Sequence, residues 1–83
     1  MISRSEIKKC GWKPVEDHKS DYKYYALAHT GKHYRLTHLD EEEGKVLIER
    51  VEPMAEEMNL MLFFGKLPAR YELQIIMRCL EIG

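Results

Sequence analysis

The chain has 83 residues, of which 45% are hydrophobic and 33% charged, and its net charge is −1. This length fits one domain, and the composition is too apolar for a disordered chain. A charge this close to zero gives no general attraction to nucleic acid or to acidic substrates. Because the longest apolar run, Leu60 to Phe64, is too short to cross a bilayer and no secretory signal pattern is present, we expect a soluble, cytoplasmic protein that does not bind membranes.

The first predicted element is a short helix. Ser3 and Glu6 have the spacing of a capping box, and Gly11 stands where a left-handed residue ends a helix of about two turns. A helix this short does not persist alone, so we expect Ile7, Cys10 and Trp12 to dock on a core.

A tyrosine-rich β-hairpin follows. Residues 12–15 predict a brief strand that Pro14 confines to a sheet edge, and the polar residues 17–21 predict a turn. Residues 22–28 and 32–39 then predict two strands joined by a turn at 30–31. That register places four residues on one face, which we expect to be buried: Tyr25, Leu27, Tyr34 and Leu36.

Four acidic residues and a glycine at 40–44 predict the next turn, and residues 45–51 predict a strand that ends before Pro53. Residues 54–59 fit either a helical turn or a loop. The continuous apolar run Leu60 to Phe64 predicts a central strand ended by Gly65.

The last predicted element is an amphipathic helix. Pro68 suits its first position, and Ile82 is expected to fold back after it. Four apolar residues recur at helical spacing on one side: Leu73, Ile76, Met77 and Leu80. The chain is therefore predicted to be a single small α+β domain over residues 1–83. Its antiparallel sheet has three to five strands around the hairpin at 22–39, with a short N-terminal helix and an amphipathic C-terminal helix.

Residues with catalytic or metal-binding potential do not form a recognisable motif. The hairpin register separates His29, His33 and His38, so we expect surface imidazoles rather than zinc ligands. Cys10 and Cys79 are expected to be reduced, packed and unreactive. No cofactor or small-molecule substrate is indicated, and we expect the protein not to be an enzyme.

The second face of the hairpin suggests binding to another macromolecule. It is half apolar, and two short helices can scarcely cover both sides of a sheet. We therefore expect a protein partner or self-association as a homodimer, through this face or through an edge strand. The candidate interface residues are Tyr22, Tyr24, His33, Arg35, Thr37 and Leu39.

Nucleic-acid binding is the alternative. Basic residues on the first helix and hairpin are interleaved with tyrosines, as in surfaces that hold single strands by stacking and phosphate contacts. The candidate contacts are Arg4, Lys8, Lys9, Lys13 and Arg35.

The layout resembles short uncharacterised proteins of Bacteroidetes genomes and their phages. In those proteins, as here in residues 2–12, an opening helix ends in a glycine-aromatic pair, and a tyrosine-rich hairpin follows, as in residues 22–39. The F-x-G strand at 63–65 and the ELQ helix at 71–82 complete the likeness, although Cys79 and its neighbours replace a usual glycine. The resemblance implies a phage or mobile-element protein that acts by binding a host protein, and it implies no catalytic residues.

Overall fold

The computed structural model describes residues 1–16 and 22–82, and its centre is an antiparallel sheet whose five strands lie side by side in chain order. The predicted α+β fold is confirmed, whereas the predicted turn at 17–21 lies outside the described residues. The elements are α1 (Arg4–Lys9), β1 (Lys13–Val15), β2 (Lys23–His29), β3 (Lys32–Asp40), β4 (Lys45–Val51), a 3₁₀ helix (Glu56–Met58), β5 (Leu60–Lys66) and α2 (Arg70–Cys79).

Helix α1 begins and ends as its sequence predicts. The Glu6 N–H donates to Ser3 Oγ at 3.2 Å, and the Ser3 N–H donates to Glu6 Oε1 at 3.2 Å, which completes the capping box. Gly11 has φ of 99°, the left-handed conformation expected after the last helical residue.

The hairpin register is confirmed. Tyr25 pairs with Leu36 and Leu27 pairs with Tyr34, and Tyr25 and Leu36 are almost fully buried. The strand bounds differ slightly, because Tyr22 precedes β2 and β3 continues to Asp40.

The position of β5 corrects one prediction. The run that begins at Leu60 forms a strand that continues through Gly65 to Lys66, and it lies at the edge of the sheet rather than at its centre. In a meander each strand is added beside the previous one, so the last strand has a neighbour on one side only. Residues 54–59, left open by the sequence, contain the 3₁₀ helix.

Helix α2 also differs at its start. It begins at Arg70 after an extended Ala69, so Pro68 lies two residues before the first helical position and that prediction is wrong. Its apolar side is confirmed, since Leu73 and Met77 are buried. The chain then folds back, and Ile82 is buried as predicted.

The hydrophobic core lies between the helices and one face of the sheet. Across it, Trp12 Nε1 donates to Met77 Sδ at 3.3 Å, which ties the exit of α1 to α2. Gly44 closes the other end of the core, where an added Cβ would lie 2.6 Å from the Leu67 carbonyl oxygen. The fully buried members of this core are Ile2, Ile7, Trp12, Tyr25, Leu36, Val46, Ile48, Leu67, Leu73 and Ile82.

Candidate functional site

The sheet face opposite α1 and α2 carries neither of these helices, and within the described residues it is bordered by the chain from Val51 to Asn59, which includes the 3₁₀ helix. The strand register defines its residues, since each lies between residues that point into the core. We call this surface the open face. Its residues are Lys13, Val15, Tyr24, Ala26, Ala28, His33, Arg35, Thr37, Leu47, Glu49, Val51, Met61 and Phe64.

A hollow of about 680 Å³ occupies one half of the open face. Ala26 and Ala28 contribute to its floor, because their small side chains leave space between larger neighbours on β1 and β3. One rim is formed by β1, and the other by the chain from Val51 to Asn59. This volume is in the range of clefts that hold a bound ligand or a few side chains of a partner.

Arg35 is held in a fixed position beside the hollow. Its Nη2 lies 2.9 Å from Glu49 Oε1, and its guanidinium lies 5.7 Å from the centre of the Tyr24 ring. The pair is only partly exposed, at 37% for the Arg35 side chain and 17% for that of Glu49. The guanidinium therefore orients Tyr24, and its charge is largely balanced by Glu49.

The predicted interface residues divide into two groups. Tyr24, His33 and Arg35 line the hollow. Thr37 lies on the open face but is only 4% exposed, whereas Tyr22 is half exposed just before β2 and Leu39 is partly buried. Three of the six residues thus share one concave surface.

The predicted nucleic-acid contacts do not share a surface. Lys13 and Arg35 lie on the open face, whereas Arg4, Lys8 and Lys9 belong to α1, which packs on the opposite face through Ile7. A nucleic acid on either face would meet only part of this set.

The described residues contain no group of three or more His, Cys, Asp or Glu side chains able to hold a metal. One expectation is wrong: His38 is not a surface imidazole but is 3% exposed, because it faces the core between Lys23 and Val46. Neither ring nitrogen has a hydrogen-bond partner in the described chain. Burial lowers the pKa of His38, although the nearby carboxylates of Glu41 and Asp40 oppose that shift.

The cysteines also depart from expectation in part. Both are free thiols, but Cys79 is exposed because it lies on the solvent side of α2, beside rather than on the stripe of Leu73 and Met77. Cys10 is half-buried, and desolvation raises the pKa of its thiol. A raised pKa leaves less thiolate at neutral pH, which does not favour nucleophilic chemistry at Cys10.

Sequence reasoning did not identify most of the hollow. Lys13 and Val15 of β1 and the segment that ends at Asn59 lie far apart along the chain, and only the sheet brings them together. A local signal existed for the floor, since alanines alternate at 26 and 28 on a strand otherwise rich in aromatic residues.

Comparison with protein-family models, with curated proteins and with solved structures gave no match to this chain. Among the described residues, neither helix has the length and apolar character needed to cross a bilayer.

Proposed function

We propose that the protein is a non-catalytic protein-interaction module and that the hollow on the open face receives a segment of its partner. The observation that carries this proposal is the concave, partly apolar surface that Tyr24, Ala26, Ala28 and Val51 line on the sheet face opposite α1 and α2. Apolar and aromatic side chains surrounded by charged ones are typical of protein interfaces.

The charges around the hollow indicate what its partner offers. Lys13 stands on the β1 rim, and Glu52 and Glu56 stand on the opposite rim. A partner segment that crosses the strands with an apolar side chain at its middle fits this arrangement. It would carry an acidic residue toward Lys13 and a basic residue toward the two glutamates.

The biological setting of this module is a further part of the proposal. The resemblance to phage-type proteins supports a modulator of a host protein, of the kind that counters a host defence, acting in the cytoplasm. The absence of a recognisable catalytic arrangement among the described residues is compatible with action by binding.

The test compares two arginine substitutions. Ala26→Arg fills the floor of the hollow, whereas Gln74→Arg adds the same charge to the exposed side of α2. Partners captured from a host lysate are identified and purified, and their binding is measured by titration calorimetry. We expect Ala26→Arg to weaken binding at least tenfold, since it places a charge against an apolar contact, and Gln74→Arg to leave binding unchanged.

Two results would contradict the proposal. One is a purified partner that binds the Ala26→Arg variant as tightly as the unaltered chain. The other is a salt-sensitive mobility shift with nucleic acid that disappears when Lys8, Lys9 and Arg35 become Glu, which would establish the alternative function.

A further inference from the structure

The two edges of the sheet are built differently. Strand β1 has three residues, and Lys13 and Pro14 are two of them. Short length, a lysine and a proline are the features by which proteins prevent an edge strand from pairing with another chain. The β1 edge is therefore protected.

Strand β5 lacks most of these features. It has seven residues, its one charged residue is Lys66 at the end, and three of its large apolar side chains are more than half exposed: Leu60, Met61 and Phe64. Its first five residues are all apolar, so that both faces of the strand are apolar. A long apolar strand at a sheet edge presents unpaired backbone groups to which another chain can pair, and β5 has a neighbour on one side only.

We propose that β5 pairs antiparallel with β5 of a second copy of this chain, so that two five-stranded sheets become one continuous sheet of ten strands. The pairing makes β5 a central strand, which is the position that its composition predicts. Its apolar contacts lie outside the hollow, whose lining it meets only at Asn59, so it is tested independently of the proposed function.

A β-bulge in β5 limits the register of such a pair. Phe63 pairs with Ile48 and Met61 with Glu49, so Leu62 is an extra residue in β5. Consequently Met61 and Phe64 both lie on the open face, while Leu60 and Gly65 lie on the helical face.

Opposing residues of an antiparallel pair lie on the same face, which favours a two-fold axis between Leu62 and Phe63. Met61 then lies opposite Phe64 of the other copy, where the two apolar side chains contact each other. Leu60 lies opposite Gly65, where the Phe63 ring comes within 3.1 Å of the place that a Cβ would take, so Leu60 would meet that apolar ring.

Charges at the two ends of β5 favour a second copy as the partner. Glu57 precedes β5 and Lys66 ends it, and the register places Lys66 opposite Asn59 of the other copy, two residues from Glu57. The two-fold axis repeats this approach at the other end of the pair. In the single chain, Lys66 Nζ lies 3.2 Å from Glu43 Oε2, and both side chains are more than half exposed. Breaking this exposed ion pair when the dimer forms would therefore cost little free energy.

The apolar side chains exposed on β5 contribute part of the area that a dimer would bury. They are Leu60, Met61 and Phe64. At on the order of 100 Å² each, they supply roughly 600 Å² from two copies, and the paired backbones and neighbouring side chains add to this area.

The experiment measures molar mass by size-exclusion chromatography with light scattering over a range of concentrations. We expect the unaltered chain to give twice its single-chain mass of 9.9 kDa. Met61→Lys is expected to raise the dimer Kd at least 100-fold, because the two-fold axis places two new charges against apolar side chains. Phe64→Lys tests the same contact if the first variant does not fold. Ile75→Lys, at an exposed apolar site on α2, is the matched control and is expected to remain dimeric.

Three results would overturn the proposal. The first is an unaltered chain that stays at 9.9 kDa up to about 200 µM. The second is a dimer that Met61→Lys and Phe64→Lys leave intact. The third is a dimer abolished by Ala26→Arg but not by Met61→Lys, which would show that copies associate through their open faces. Loss of partner binding with the dimer intact would concern only the proposed function.

Discussion

Glu6 accepts hydrogen bonds at the N-termini of both helices. One oxygen receives the Ser3 N–H, and the other receives the Arg70 N–H at 2.7 Å, where Ala69 offers no capping side chain to α2. These bonds, first that from Arg70 and then that from Ser3, lower the pKa of Glu6 below its ordinary 4.5. The ionised carboxylate therefore stabilises the fold above pH 4.5, and this contribution is lost as pH falls through the lower pKa of the folded state.

We expect Glu6→Gln to lower the melting temperature at pH 7, and we expect its difference from the unaltered chain to shrink as pH falls through the lowered pKa of Glu6, below which both side chains are neutral. Thermal unfolding followed by circular dichroism over this pH range is the measurement. Glu57→Gln removes the same charge elsewhere and controls for net charge. If the melting temperatures of Glu6→Gln and the unaltered chain differ by the same amount at pH 7 and at pH 3, the carboxylate charge does not contribute to stability.

The charged form of His38 destabilises the fold, whereas the charged form of Glu6 stabilises it. His38 is buried without a hydrogen-bond partner in the described chain. Its pKa is lowered in the folded state from an ordinary value of 6.5, so the unfolded chain binds a proton first as pH falls. The free energy of unfolding should decrease as pH falls through 6.5 toward the folded pKa. Replacing His38 with Leu should flatten this part of the stability profile.

Urea unfolding at pH 7.5 and pH 5.5 measures the slope. Val46→Ala, in the neighbouring core, should lower stability at both pH values and retain the slope of the unaltered chain. An unchanged slope in His38→Leu would mean that another group is responsible for it.

At the scale of elements, the end of α2 depends on a strained residue. Ile82 N–H donates to the Met77 carbonyl at 2.8 Å and Glu81 N–H to the Arg78 carbonyl at 3.1 Å, which is a Schellman motif. Glu81 occupies its left-handed position with φ of 57°, where glycine is usual. We expect Glu81→Gly to raise the free energy of unfolding by about 0.5–1 kcal/mol.

Chemical denaturation measures this change. Glu81→Ala removes the charge but retains a side chain in the left-handed region, so it should leave stability nearly unchanged. If both variants stabilise the protein equally, the cause is loss of the carboxylate rather than relief of backbone strain.

The elements that the sequence predicts best are those with local signals. The capping box of Ser3 and Glu6, the hairpin turn and the apolar side of α2 depend on residues within one or two turns of each other. The second contact of Glu6 joins residues 64 positions apart, and no local pattern reports it. Likewise, the apolar run of β5 specifies a strand but not its place at the edge of the sheet.

At the scale of the whole molecule, the register of β2 and β3 makes part of the candidate site predictable from the sequence. Alternation along β2 and β3 places Tyr24 and Arg35 on the face opposite the core, because the side chains of a strand point alternately to its two faces. The hollow itself depends on how β1 and the chain after β4 approach that face, and these segments are remote in sequence. Because of this separation, the sequence does not predict that the two rims face each other.

Pairing through β5 would also change how the molecule binds. The two-fold axis of an in-plane antiparallel pair is perpendicular to the sheet, so both open faces would lie on one side of the dimer and all four helices on the other. Two hollows on one side allow two contacts with an array of partners, and avidity then exceeds the affinity of either hollow. On a surface densely coated with partner, we expect the unaltered dimer to dissociate at least tenfold more slowly than the Met61→Lys monomer.

The two proteins should bind a soluble, monovalent partner with the same Kd, because Met61 lies outside the hollow. Surface plasmon resonance gives the first comparison and titration calorimetry the second. Equal dissociation rates of the unaltered chain and Met61→Lys from the coated surface would mean that the two hollows of a dimer do not bind partner molecules at the same time. A weaker solution affinity of Met61→Lys would instead place the partner across β5, since only direct contact with that strand would make a single binding event sensitive to this residue.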